Sequence, residues 1–131
     1  MTGMVEIKDL LKNMEPVLCG GEFVFCTVQQ KLNEALLELD PIGTFQEDEG
    51  LTLILTKLIA DQNGMSYEGV FSKISLKVHS SLEAVGLTAA FSNALKEVNI
   101  SANVIAGYYH DHIFVPEHQA EAALKALKAL S

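Results

Sequence analysis

The sequence predicts an α+β fold built from two βαββα halves, and three observations carry the prediction. From Lys73 to His79 the pattern alternates strictly. Ile74, Leu76 and Val78 share one face, and Lys73, Ser75, Lys77 and His79 the other, which is the period of a strand with one buried face. Leu87, Phe91, Ala94, Leu95 and Val98 then recur at helical spacing as a single apolar stripe. The order strand, helix, two strands, helix is legible twice, over 22–64 and again over 70–130.

Residues 4–14 read as a helix with Ile7, Leu10, Leu11 and Met14 on one face, ended by Glu15-Pro16. Cys19-Gly20-Gly21 reads as a turn. Glu22–Val28 is apolar on both sides, the mark of a central strand covered twice. Leu32, Ala35, Leu36 and Leu39 predict a helix over 30–39, closed by Asp40-Pro41. A weaker strand at Gly43–Glu47, a hairpin turn at Glu47-Asp48-Glu49-Gly50 and a strand at Leu51–Thr56 follow. Lys57–Gln62 is a short helix, with Asn63-Gly64 as its C-cap.

In the second half, the strand at 70–79, the crossover helix and a second strand predict a right-handed parallel unit. Ala102, Val104, Ala106 and Tyr108 alternate along that second strand. A tight turn at His110-Asp111 returns the chain into an antiparallel strand at Ile113–Val115. The helix Glu117–Leu130 buries Ala120, Ala123, Leu124 and Leu127, with Glu117 at its positive end and Lys128 at its negative end. Each half is one strand short of βαββαβ, the ferredoxin-like unit. Strand 22–28 lying antiparallel against strand 70–79 repairs both open edges. The halves then share one largely antiparallel sheet with helices on one face. The expected division is 1–64 and 65–131, joined at Met65–Gly69.

Composition narrows the function. The chain has 131 residues, is 49% hydrophobic and 20% charged, and has a net charge of −8. All nine cations are lysine. An acidic chain without arginine lacks the footprint of nucleic-acid binding. No apolar run approaches the ~20 residues of a membrane span, and MTGMVEIKDLL lacks the pattern of a signal peptide. Cys19 and Cys26 fit neither CxxC nor a zinc knuckle and read as small buried hydrophobes, so the expected location is the cytoplasm.

Two phrases go further. Val85-Gly86-Leu87-Thr88-Ala89-Ala90 follows the first strand of the second half, and Asn99-Ile100-Ser101-Ala102 leads into the second. In these the second half resembles an ACT domain, a small ligand-binding regulatory module found on many enzymes of amino-acid metabolism. The first half looks like the degenerate ACT-like partner found in small stand-alone tandem proteins of bacteria. The sequence departs from the family at Ser80–Val85, where many members carry an aspartate just before the glycine. The resemblance implies a regulatory protein that binds a small metabolite, an amino acid, at the interface between modules of a homo-oligomer, a dimer. The implied ligand-binding residues are His79, Ser80, Ser81, Leu82, Glu83, Val85, Gly86, Leu87 and Asn103. The free N–H groups at a helix start favour a carboxylate, and glycine there allows close approach.

Each candidate has a plain structural alternative. Ser80 and Glu83 also form an S-x-x-E capping box, which would start the helix at Ser81 and place Gly86 in its first turn. His79 either meets a carboxylate or caps the sheet edge. Lys73 and Lys77 are either a solvated stripe or contacts for an acidic ligand. His110, His112 and His118 stand near Asp111 and Glu117, so a metal site competes there with an exposed turn. No GxSxG elbow, P-loop or HExxH is present, and neither cysteine has a basic neighbour in sequence. The expectation is a non-catalytic protein with no cofactor and no metal. The alternative function is a ligand-free interaction or oligomerisation module.

Overall fold

The computed structural model describes residues 11–77 and 86–130. In chain order the elements are β1 (Pro16–Leu18), β2 (Phe23–Val28), α1 (Glu34–Leu37), β3 (Gly43–Gln46), β4 (Leu51–Thr56), α2 (Lys57–Gln62), β5 (Phe71–Leu76), α3 (Leu87–Glu97), β6 (Asn103–Ala106), β7 (Asp111–Pro116) and α4 (Ala120–Lys128). A 3-10 turn, Glu117–Gln119, leads into α4. The chain divides into two compact units, one from Gly21 to Phe71 and one from the segments on either side. Both follow the βαββα order, and β1–β5, β2–β4, β2–β5, β3–β4 and β6–β7 all pair antiparallel. The fold class is the expected one: mixed α/β, in two ferredoxin-like halves.

In the Gly21–Phe71 unit the order is β3-β4-β2, so β4 lies between the two strands that α1 connects. Val24, Cys26, Leu51, Leu53 and Leu55 meet Leu36 of α1 and Ala60 of α2 in one core, with both helices on one face of the sheet. The expected helix over 30–39 shortens to four residues. Asn33 interrupts it, because its Oδ1 accepts the Leu36 N–H at 2.9 Å and so caps the helix. Leu32 is left 46% exposed. The hairpin closes as read, with Glu47 and Gly50 exchanging backbone hydrogen bonds. So does the end of α2, where Gly64 takes φ 64° and Met65 N–H donates to Ala60 O. On the other face Phe23 pairs with Phe71, and the Phe25 and Phe71 rings pack edge to face at 5.4 Å.

The other unit holds β5-β7-β6 with β1 beside β5. β7 therefore stands between β5 and β6, and the two strands joined by α3 are not neighbours. The sequence reading missed β1. Pro16, Val17 and Leu18 pair antiparallel with Leu76, Ser75 and Ile74, while strand 22–28 keeps its expected antiparallel place against β5 at Phe23 and Phe71. Residues 11–13 are helical and end before Met14, which packs into this core. The remainder of helix 4–14 lies outside the described residues. Leu87, Phe91 and Leu95 of α3 and Ala120, Ala123 and Leu127 of α4 cover Ile74, Leu76, Ile113 and Val115.

Val98 leaves the expected stripe and is 49% exposed. Asn99 at φ 59° ends the helix, so Ile100 folds back and donates its N–H to Leu95 O at 2.9 Å. The hairpin turn also moves. It spans 107–110 rather than His110-Asp111, closed by Gly107 N–H to His110 O at 2.9 Å. A Cβ on Gly107 would lie 2.8 Å from that oxygen, so the tight return needs glycine there. Tyr108 consequently sits in the turn, 73% exposed, not on the strand.

Candidate ligand-binding site

α3 opens in an unusual way. Gly86 is its N-cap at φ 98° and ψ −21°, in the left-handed region, and the cap makes no side-chain hydrogen bond. Gly86 O accepts the Ala90 N–H at 2.9 Å, so the helix begins at Leu87. A residue at that φ cannot belong to a right-handed first turn. The alternative of a helix running through Gly86 from a Ser80–Glu83 capping box is therefore overturned at Gly86 itself. The N–H groups that open an α-helix have no partner within it, and its dipole puts partial positive charge there. With eleven residues, α3 is long enough to present that end. Leu87 is 1% exposed and its side chain belongs to the core, leaving only its backbone to the helix start.

Of the other implied residues, Asn103 is exposed at the first position of β6, opposite Phe114. Its Nδ2 donates a long 3.4 Å hydrogen bond to Phe114 O. α3 is about 16 Å long at 1.5 Å per residue, with Gly86 before its N-terminus and Asn103 a few residues past its C-terminus. His79, Ser80, Ser81, Leu82, Glu83 and Val85 lie outside the described residues.

The histidines fall elsewhere. Among the described residues no group of three His, Cys, Asp or Glu side chains is placed to hold a metal ion. His110 Nδ1 is buried and has no hydrogen-bond partner among them. His112 Nδ1 lies 2.8 Å from Ser75 Oγ. Burial, then the charges of Lys73 and His110, hold the His112 pKa below the usual histidine value. Burial pushes the Asp111 carboxyl up, against the opposing pull of His112.

Two sequence expectations change here. Ser75, read as part of a polar stripe, is 2% exposed. Cys19, read as a buried hydrophobe, is only half-buried, and its Sγ lies 3.5 Å from Ser75 Oγ. No sequence signal joins Cys19, Ser75 and His112, which come from the residue after β1, from β5 and from β7.

ACT-domain family profiles match residues 2–72 and 68–129. The chain belongs to the ACT domain family, as two such domains in tandem. A Vibrio cholerae protein of solved structure, described as of unknown function and a possible transport protein, is 54% identical. That match covers 95% of this chain and 94% of the other, with a TM-score of 0.87. An Agrobacterium tumefaciens protein shares the fold at 14% identity and TM-score 0.72, covering 90% and 89% of the two chains. The ligand-free regulatory subunit of aspartate kinase from Thermus thermophilus shares it at 14% identity and TM-score 0.66, covering 88% and 95%. No curated protein matches the chain. ACT domains are regulatory, ligand-binding modules, and membership places the chain in that class. Among the described residues no helix is long and apolar enough to cross a membrane.

Proposed function

We propose that this chain is a non-catalytic cytoplasmic sensor that binds a small carboxylate metabolite, an amino acid, at the opening of α3. The observation that carries the reading is Gly86, a left-handed cap without a side chain at the head of an eleven-residue helix. The N–H groups that open α3 meet the ligand carboxylate, and the missing Cβ lets it approach. The reading also assigns ligand contacts to the backbone of Leu87 and, from the family resemblance alone, to His79, Ser80, Ser81, Leu82, Glu83 and Val85. Asn103, at the far end of α3, belongs to the same kind of site only when another copy supplies it. The reading therefore includes a homo-oligomer, at least a dimer, with the ligand at the contact between modules.

Thermal denaturation in the presence of each amino acid at millimolar concentration tests this. A ligand that binds only the folded state stabilises it by about 2.7 kcal/mol at a hundredfold excess over Kd. Saturable stabilisation by at least one amino acid is expected, and a flat response across the panel overturns the reading. Phe45, 73% exposed on the edge strand β3, favours the second reading, a ligand-free interaction module. Under that reading Phe45→Lys abolishes self-association while no amino acid changes the melting temperature.

A further inference from the structure

Three side chains from three neighbouring strand segments of one unit meet in a hydrogen-bonded line. Cys19 directly follows β1, and its N–H donates to Lys73 O at 2.9 Å, which extends the β1–β5 register by one residue and sets Lys73 opposite it. Cys19 Sγ lies 3.5 Å from Ser75 Oγ, and Ser75 Oγ lies 2.8 Å from His112 Nδ1. Ser75 is 2% exposed, so the middle of the line is closed to water, whereas Cys19 at its end is half-buried. Burial, then Lys73, His110 and Lys77, disfavour a charged His112, and only Asp111 opposes them. Cys19 Sγ also lies 3.8 Å from Val17 O, so its S–H has two acceptors within reach. With the ring proton on Nε2, Nδ1 accepts from the Ser75 hydroxyl, which leaves Ser75 Oγ as the acceptor for the Cys19 S–H when it turns from Val17. His110 Nδ1, buried and without a partner among the described residues, stands within electrostatic range of His112.

We propose that Cys19 is a covalent modification site, a thiol deprotonated through Ser75 by His112 and captured by small-molecule disulfides. In the step, Cys19 Sγ attacks one sulfur of the reagent. The reagent's S–S bond breaks, a Cys19–S–S–R bond forms, and the second half leaves as thiolate. The Cys19 proton passes to Ser75 Oγ while the Ser75 proton passes to His112 Nδ1; the leaving thiolate takes a proton from solvent water, and His112 afterwards returns its own to solvent. Cys19 is oxidised and the departing sulfur is reduced. The developing Cys19 thiolate faces Lys73 across the ladder.

The test uses the full chain and oxidised glutathione, read by intact mass and by peptide mapping. Cys26, 3% exposed and with its thiol pKa raised by burial, is the internal reference. One adduct per chain is expected, on Cys19, with Cys26 untouched in the folded protein. The wild-type rate should rise with pH through a step below the ordinary histidine value of about 6.5. Ser75→Ala and His112→Gln should each slow the reaction by about tenfold or more at pH 7, and His112→Gln should erase the step. Modification of Cys26 first, a wild-type profile without the step, or folded variants that react at the wild-type rate overturns the proposal. The wild-type profile decides the matter even if neither variant folds.

Discussion

The two ACT halves share an order of elements and differ in how each starts its first helix. α1 is four residues long and capped by the side chain of Asn33, which occupies the Leu36 N–H. α3 is eleven residues long and starts at a left-handed glycine with no side-chain cap. A capped end has already spent a donor on its own chain, whereas an uncapped end keeps its donors for something else. The same topology thus starts one helix at a side-chain cap and the other at a glycine that offers none. A second difference follows from length. α1 buries only Leu36, and α3 buries Leu87, Phe91 and Leu95.

The largest expected effect tests that second difference. Phe91 is fully buried, so Phe91→Ala should cost about 3–5 kcal/mol in denaturant unfolding, as deletions of buried aromatics do. Leu36→Ala, at the edge of its core with 7% exposure, should fall near the lower end of the leucine range, about 2 kcal/mol. Equal losses would mean that α1 holds its half together as firmly as α3 does.

Next in size is Gly86. A β-branched residue forced to φ 98° strains the backbone, so Gly86→Val should destabilise by about 1–3 kcal/mol and lose any amino-acid response. Gly86→Asn separates the two effects. Asn tolerates the left-handed region, so this variant should fold close to wild type while its side chain crowds the helix start. If Gly86→Asn responds to amino acids as wild type does, Gly86 is a structural cap and nothing more. Asn33→Ala gives the converse. Loss of that cap should cost about 0.5–2 kcal/mol and leave the amino-acid response unchanged.

Much of this contrast was open to reading before the structure. Periodicity located β5 and the final helix, because each buries one continuous face, and β2 was legible as a run apolar on both sides. The Val85–Ala90 phrase pointed at Gly86 through the family it resembles, against the alternative of a glycine in a helix's first turn. β1 was hidden. A three-residue strand has almost no pattern of its own, and Pro16–Leu18 is extended because Ile74–Leu76 lies beside it. Tyr108 continued an alternation past the true strand end, since an exposed turn residue also fits every second place. The Cys19–Ser75–His112 line was illegible for a simpler reason: its members are 56 and 37 residues apart, and only the register of three strands joins them.

The smallest expected effect concerns acid. All four histidines, His79, His110, His112 and His118, lie outside the Gly21–Phe71 unit, so that unit has no group of ordinary pKa between about 5 and 7. In that unit Tyr67 and Lys57 hold the exposed Asp61 below the usual carboxylate range, further from that window. In the other unit, burial lowers the His112 pKa from its unfolded value of about 6.5, so below that pH the unfolded chain binds more protons than the folded one. The His112 contribution is therefore complete above about pH 6.5 and is lost as pH falls through the lower folded value. Hydrogen exchange, corrected for the intrinsic rate at each pH, resolves the two units. Protection at Ile113 and Val115 should fall between pH 7 and pH 5, and protection at Leu53 and Leu55 should hold. His112→Gln should flatten the first response. The same decline at Leu53, or an unaltered decline in His112→Gln, would take the acid response away from His112 and out of the comparison between the halves.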